Sequence, residues 1–236
     1  MRGPRASSLH GFKALATTSS GFAFTLGRLD GEVTLDEVVE HARSLDQASD
    51  LPVSVDLENG YGPDPDSTAL AISRIAESGA VGGSIEDYDP RDGIYELPHA
   101  VDRIAAAVEA ARRLDFPFTL TARAENYVRG NPDLDDTIVR LQAYEAAGAD
   151  VLYAPRLLTL DEIRAVCGAV TKPVNVLATA GLSVQEIVAA GAQRVSVGGR
   201  LTWAAVNAMV SAATAIRDRG DLSSLGSSPP LEEWFS

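Results

Sequence analysis

Cysteine is almost absent: Cys167 is the only one in 236 residues. That excludes a disulfide framework and fits a reducing compartment. Cys167 falls inside "LDEIRAVCGAV", a segment of helical periodicity, and reads as a small buried residue rather than a nucleophile. Histidine is nearly as scarce, with three in the chain. His10, His41 and His99 are scattered; His41 is expected on an exposed helix face and His99 near a helix start. No strand end offers histidine ligands, which argues against a zinc site or a histidine-based metal aldolase barrel. No apolar run approaches the roughly 20 residues of a membrane-spanning helix. The opening "MRGPRASSLHGF" lacks the apolar stretch of a signal peptide. The expectation is a cytoplasmic protein without a membrane partner. Positive charge is outweighed, with a formal net charge of −13, which excludes nucleic acid as a partner because phosphate binding needs clustered Lys and Arg. An anionic substrate would then need a local positive centre, either a metal ion or a placed arginine. Fixed-period repeats, low-complexity segments and long charge runs are also lacking.

What is present is alternation. The strand candidates are "KALATTS", "PVSVDL", "GGSIED", "FTLTARAE", "DVLYAP", "PVNVLA" and "RVSVGG". Helical segments with apolar residues three and four apart lie between them, as at Val101, Ile104, Val108 and Ala111. Several start on Ser, Thr or Asp and end on Gly. Apolar strands separated by helices predict a parallel sheet covered by helices. Seven such strands without a break in composition predict an α/β protein with a TIM-type (β/α)8 barrel, lacking the first βα unit; a doubly wound open sheet is the rival. Residues 1–220 read as one barrel domain. Residues 221–236, "DLSSLGSSPPLEEWFS", read as a polar extension.

In a parallel barrel the functional groups gather where strands end. "SVDLENGYG" ends an apolar run in Asp56 and Glu58 and then breaks into Gly-Tyr-Gly. The next strand ends in Glu86 and Asp87, and the one after it in Arg123 and Glu125; Asp30 follows the first strand in "LGRLDGE". Acids at buried strand tips are costly unless paired. Oxygen donors without His or Cys point to Mg²⁺ or Mn²⁺, which commonly takes one or two carboxylates plus water. Asp87 reads as an ion-pair or helix-start residue, and Glu125 equally as a site acid or as the partner of Arg123 or Arg91. Arg123 suits a bidentate carboxylate, with Glu86 or Glu125 as its alternative partners. Ser19, Ser20 and Gly21 form a turn whose N–H groups can hold an anion. Asn175, on an otherwise apolar strand, calls for a buried hydrogen bond. "GGR" at the last strand is explained as well by tight packing as by phosphate binding.

Taken together, "ATTSSGFAFTLGRLDGE", "PVSVDLENGYG", "GGSIED", "TLTARAE" and "PVNVL" resemble the isocitrate lyase / phosphoenolpyruvate mutase superfamily over residues 11–220. The resemblance implies a Mg²⁺-dependent barrel enzyme that breaks or forms a C–C or P–C bond beside an α-oxo carboxylate through an enolate. It implies metal ligation by Asp30, Asp56, Glu58 and Glu86. Substrate contacts would come from the backbone of Ser20, Gly21 and Phe22 and from Asp56, Arg123 and Asn175, with Arg123, Glu58 and Glu86 as the catalytic set. It further implies a last helix, "TWAAVNAMVSAATAIRDRG", swapped between subunits of a homodimer or homotetramer, and a small anionic oxo or hydroxy acid as substrate. Two departures stand out. The loop "YDPRDGIYELPHA" carries neither the lyases' acid/base cysteine nor the mutases' Lys- and Asn-bearing gate. Arg156 stands where the family carries an acid. A metabolite-binding relative without turnover is the alternative to the enzyme.

Overall fold

A computed structural model describes residues 11–226. His10 and the 227–236 part of the extension lie outside the described residues. All seven expected strands occur. In chain order, β1 (Leu15–Ala16), β2 (Val53–Asp56) and β3 (Gly82–Glu86) come first. After a small antiparallel hairpin of β4 (Tyr88–Asp89) and β5 (Gly93–Ile94) follow β6 (Thr119–Arg123), β7 (Val151–Tyr153), β8 (Val174–Leu177) and β9 (Arg194–Ser196). The sheet order is β1-β2-β3-β6-β7-β8-β9, parallel at every pairing. This is the curled parallel sheet of a TIM-type barrel. Among the described residues β1 and β9 are its two edges, so an eight-stranded closed barrel is not what the sheet shows.

Eight helices accompany it: α1 (Ser19–Thr25), α2 (Leu35–Ala48), α3 (Pro65–Ala76), α4 (Leu97–Arg112), α5 (Leu134–Ala146), α6 (Leu160–Ala169), α7 (Val184–Ala189) and α8 (Arg200–Arg219). Local chemistry sets their ends. Thr34 with Glu37, Thr159 with Glu162, and Ser183 with Glu186 each close a reciprocal capping box, satisfying N–H groups that a helix start leaves free. Pro65 opens α3 at its first turn, where its missing N–H costs nothing. Gly220 ends α8 with φ 64°. None of these helices is long and apolar enough to cross a membrane.

Strand residues alternate between two faces. Val53, Val55, Ile85, Leu120, Ala122, Leu152, Val174 and Val176 are buried on the face that meets the helices. The register then stacks Asp56 beside Ser84, Ser84 beside Thr121, Glu86 beside Arg123, and Arg123 beside Tyr153 on the opposite, inner face. The core lies outside the curl, and the inner face is polar. That division places the site.

Candidate functional site

Asp56, Glu86 and Arg123 are the last residues of β2, β3 and β6. Their side chains meet at the C-terminal rim. Arg123 Nη1 lies 2.8 Å from Asp56 Oδ1, and Nη2 lies 2.9 Å from Glu86 Oε2 and 2.8 Å from Glu125 Oε1. The Tyr153 ring stands 5.5 Å from the guanidinium. Burial opposes the charge on Arg123, yet Glu125, Glu86 and Asp56 hold its pKa above the usual guanidinium range. Arg129 adds a second cation. It lies 3.2 Å from Glu86 and 3.5 Å from Glu125, stacked 3.6 Å from the Tyr88 ring centre.

Glu58 differs from these acids. Its backbone φ is 48°, a left-handed conformation that lets the chain turn out of β2 immediately after buried Leu57. Its carbonyl accepts from Glu86 N–H at 2.9 Å, which ties the turn to β3. Among the described residues its carboxylate makes no hydrogen bond or ion pair. Burial first, then the charges of Asp56 and Asp30, raise its pKa to about 7. Asp56 is held from both sides: Oδ2 accepts from Ser19 N–H at 3.2 Å and Oδ1 from Glu58 N–H at 3.2 Å. Burial pushes Glu86 up as well, to about 8, against the pull of Arg123. A cavity of about 590 Å³ opens over this group, lined by Ser19, Asp30, Glu58, Tyr61, Glu86, Arg91, Arg123 and Arg129 among others.

The glycines of "NGYG" let the chain turn sharply as it leaves β2. Gly60 has φ +79°, and a Cβ there would lie 2.7 Å from Thr68 Cγ2; a Cβ on Gly62 would strike the Ser67 side chain. The turn must pass flat against the start of α3 while it carries Glu58, Asn59 and Tyr61 to the rim.

The residues expected at the site fall into different settings. Of the expected ligands, Asp30, Glu58 and Glu86 line the cavity, and Asp56 pairs with its Arg123. No three His, Cys, Asp or Glu side chains among the described residues converge to hold an ion. Arg123 and Arg129 pair with Glu86 and Glu125, while Glu58 and Asp30 face each other's charge across the cavity. Phe22 is not placed to offer its N–H, which donates to Thr18 O at 3.0 Å within α1. Its ring stacks on His41 at 4.0 Å, so His41 is half-buried rather than exposed. Ser20 Oγ meets Thr18 Oγ1 at 3.2 Å, and Gly21 is buried against Thr18 and Thr202. Of that turn, Ser19 is the residue that lines the cavity. Asn175 is 2% exposed and donates to Ser196 Oγ at 3.0 Å, two strands away from Arg123. Its Oδ1 has no partner among the described residues.

Asp87 takes its ion-pair role, with Arg140 Nη1 at 3.1 Å and the Tyr144 hydroxyl on the same oxygen. Glu125 pairs with Arg123 and Arg129, not with Arg91. Arg129 carried no sequence signal, because an arginine in "NYVRG" looks like any exposed loop cation.

A curled parallel sheet with an acid-and-arginine cup at its C-terminal rim defines the general class, an α/β barrel with the site position of an enzyme. The chain belongs to the phosphoenolpyruvate phosphomutase family, whose model matches residues 3–217. Its relatives in that superfamily are lyases and mutases. A solved Burkholderia cenocepacia protein described as a lyase/mutase is 51% identical with a TM-score of 0.92, covering 96% of this chain and 84% of its own. The 2-methylisocitrate lyase of Escherichia coli is 33% identical over 70% of this chain and 57% of its own length. A phosphonopyruvate hydrolase solved with oxalate and Mg²⁺ shares the fold, with TM-score 0.83 and 24% identity over 96% of this chain and 83% of its own.

Proposed function

We propose that this chain is a Mg²⁺-dependent lyase-type enzyme cleaving a C–C or P–C bond of a small α-oxo or 2-hydroxy carboxylic acid by way of an enolate. The observation that carries the reading is the imbalance in the cup. Asp30, Asp56, Glu58, Glu86 and Glu125 outnumber the cup's arginines, Arg91, Arg123 and Arg129, and among the described residues the Glu58 carboxylate forms no ion pair. Uncompensated carboxylate at a half-buried rim is costly, and a hard divalent cation would relieve it. The donor chemistry fits Mg²⁺ as an ion that keeps most of its water. Asp56 and Glu58 would hold it, with Asp30 adding negative charge from the rim. Bound there, the cation would supply Lewis acidity toward the oxygens of an α-oxo acid.

The chain's own residues do the rest. Arg123, fixed by three carboxylates and the face of Tyr153, keeps Asp56 and Glu86 in position and presents positive charge where negative charge develops in the substrate. Ser19 N–H orients Asp56. The β4–β5 hairpin forms one wall, and its Arg91 is the cup arginine with no carboxylate partner among the described residues. Arg91 is therefore available to a second anionic group, which favours a di-acid over a mono-acid. The apolar surface of α8, with Leu201 70% and Met209 63% exposed, supports a homo-oligomer in which a second copy covers or exchanges this helix.

Incubating the protein with Mg²⁺ and a panel of 2-oxo and 2-hydroxy di-acids, followed by NMR, tests the reading. Cleavage of at least one, abolished by EDTA, is expected. Turnover that is indifferent to EDTA, or no turnover of any, would contradict it.

A further inference from the structure

Arg103 lies on α4, outside the cup, and is 1% exposed. A guanidinium that deep is unfavourable unless its donors are met, and the usual partner is a carboxylate; here Nε has no partner among the described residues, and the two terminal nitrogens carry the contacts. Among the described residues Arg103 forms no ion pair. It donates instead to a run of backbone carbonyls: Gly62 at 2.7 Å, Asp64 at 3.3 Å, and Pro63 and Asn59 at closer range. Its face lies 4.4 Å from the Tyr95 ring centre. One turn earlier on the same helix, His99 Nε2 is 2.9 Å from Pro63 O. On the other side, Thr68 Oγ1 of α3 donates to Arg103 O at 2.9 Å.

The hydrogen bonds of the Arg103 guanidinium and of His99 converge on residues 59–64. That segment is strained at its entrance, where Glu58 has φ 48° and Tyr61 φ 63°. Left-handed backbone at residues other than glycine persists only where the surroundings enforce it. The same network reaches the opposite wall. Asn59 Nδ2 and the Tyr95 hydroxyl each lie 3.3 Å from Asp89 Oδ2, and Asp89 Oδ1 accepts from Arg91 N–H at 2.8 Å in the hairpin.

We propose that Arg103 is a positioning residue for the cup: it holds the 59–64 segment in the turn that presents Glu58 and, through Asn59 and Tyr95, fixes the β4–β5 hairpin beside it. A neutral side chain could fill the space but could not gather four carbonyls. A lysine would carry the charge on a single nitrogen without the planar fork. The inference rests on the reading of the cup as a Mg²⁺ and oxo-acid site.

The test uses the full chain with Arg103→Lys and Arg103→Ala. Calorimetry with Mg²⁺ and oxalate is run at a temperature where circular dichroism shows each variant folded. Oxalate affinity is expected to fall roughly ten- to a hundredfold, as when residues supporting a metal site are lost. Millimolar free guanidinium is expected to restore part of it in Arg103→Ala but not in Arg103→Lys. Arg103→Lys keeps the stem and charge, so it carries the test if Arg103→Ala does not fold. Melting temperatures that drop while oxalate affinity stays within twofold of wild type would show a structural role alone and overturn the proposal. A wild-type protein that binds no oxalate with Mg²⁺ would instead overturn the reading of the cup, and this inference with it.

Discussion

Strands β3 and β9 belong to one parallel sheet, yet their surroundings differ sharply. Around β3, helices α3 and α4 bury five and six residues each, and Ile85 is fully enclosed. At β9 all three residues are partly exposed. Beside it α8 buries only Ala215 along 20 residues, although it carries Leu201, Trp203, Met209 and Val210. Apolar content measures how much surface asks to be covered; burial requires a neighbour of matching shape. In the first half of the chain α3 and α4 supply that neighbour to each other. For α8 the described residues do not. Charge divides less evenly: Asp56, Glu58, Glu86, Arg123, Glu125 and Arg129 cluster at the ends of β2, β3 and β6, whereas β8 and β9 bring no acid to the inner face, which there carries Asn175, Leu177, Arg194 and Ser196.

The sharpest way to break this contrast is at Arg123. Arg123→Met would leave Asp56, Glu86 and Glu125 facing one another in a low-dielectric site, and a loss of about 3–5 kcal/mol in urea unfolding is expected. Gly60→Ala comes next. The positive φ and the approach of Thr68 predict a loss of about 1–3 kcal/mol, together with weaker Mg²⁺ binding because Glu58 shifts. Tyr144→Phe removes the hydroxyl that donates to buried Asp87, and about 1–2 kcal/mol is expected by the same assay. The smallest effect should fall in the other half. Leu201→Ser with Met209→Ser should change unfolding of the isolated chain by less than about 0.5 kcal/mol, while shifting gel filtration toward smaller species. A large intrinsic destabilisation there would mean that α8 is packed within its own chain.

All seven sheet strands were legible because apolar runs such as "PVSVDL" and "FTLTAR" leave no other reading at that length. Helix starts were legible where capping boxes exist, as at Thr34, Thr159 and Ser183. Helix α1 was not, because Thr18 makes no side-chain cap and "SSGF" looks like a turn. The β4–β5 hairpin was not, because two-residue strands show no alternation. In the site, the positions of Asp56, Glu86 and Arg123 at strand ends followed from periodicity. Their pairing did not, since it depends on how much burial each charge suffers. The same limit hid Arg103, whose partners are carbonyls distant in sequence, and Arg129, which reaches back to Glu86 as well as to nearby Glu125. The buried hydrogen bond that Asn175 called for was legible, but not that Ser196 accepts it.

The central claim is that an acid-rich cup with too few cations seats Mg²⁺ against a small oxo acid. Titrating oxalate into the wild-type protein and into Asp56→Ala, with and without Mg²⁺, addresses it most directly. The account predicts saturable binding only in wild type with Mg²⁺, weakened at least about tenfold by the substitution. Binding that is indifferent to Mg²⁺, or undiminished in Asp56→Ala, would contradict it.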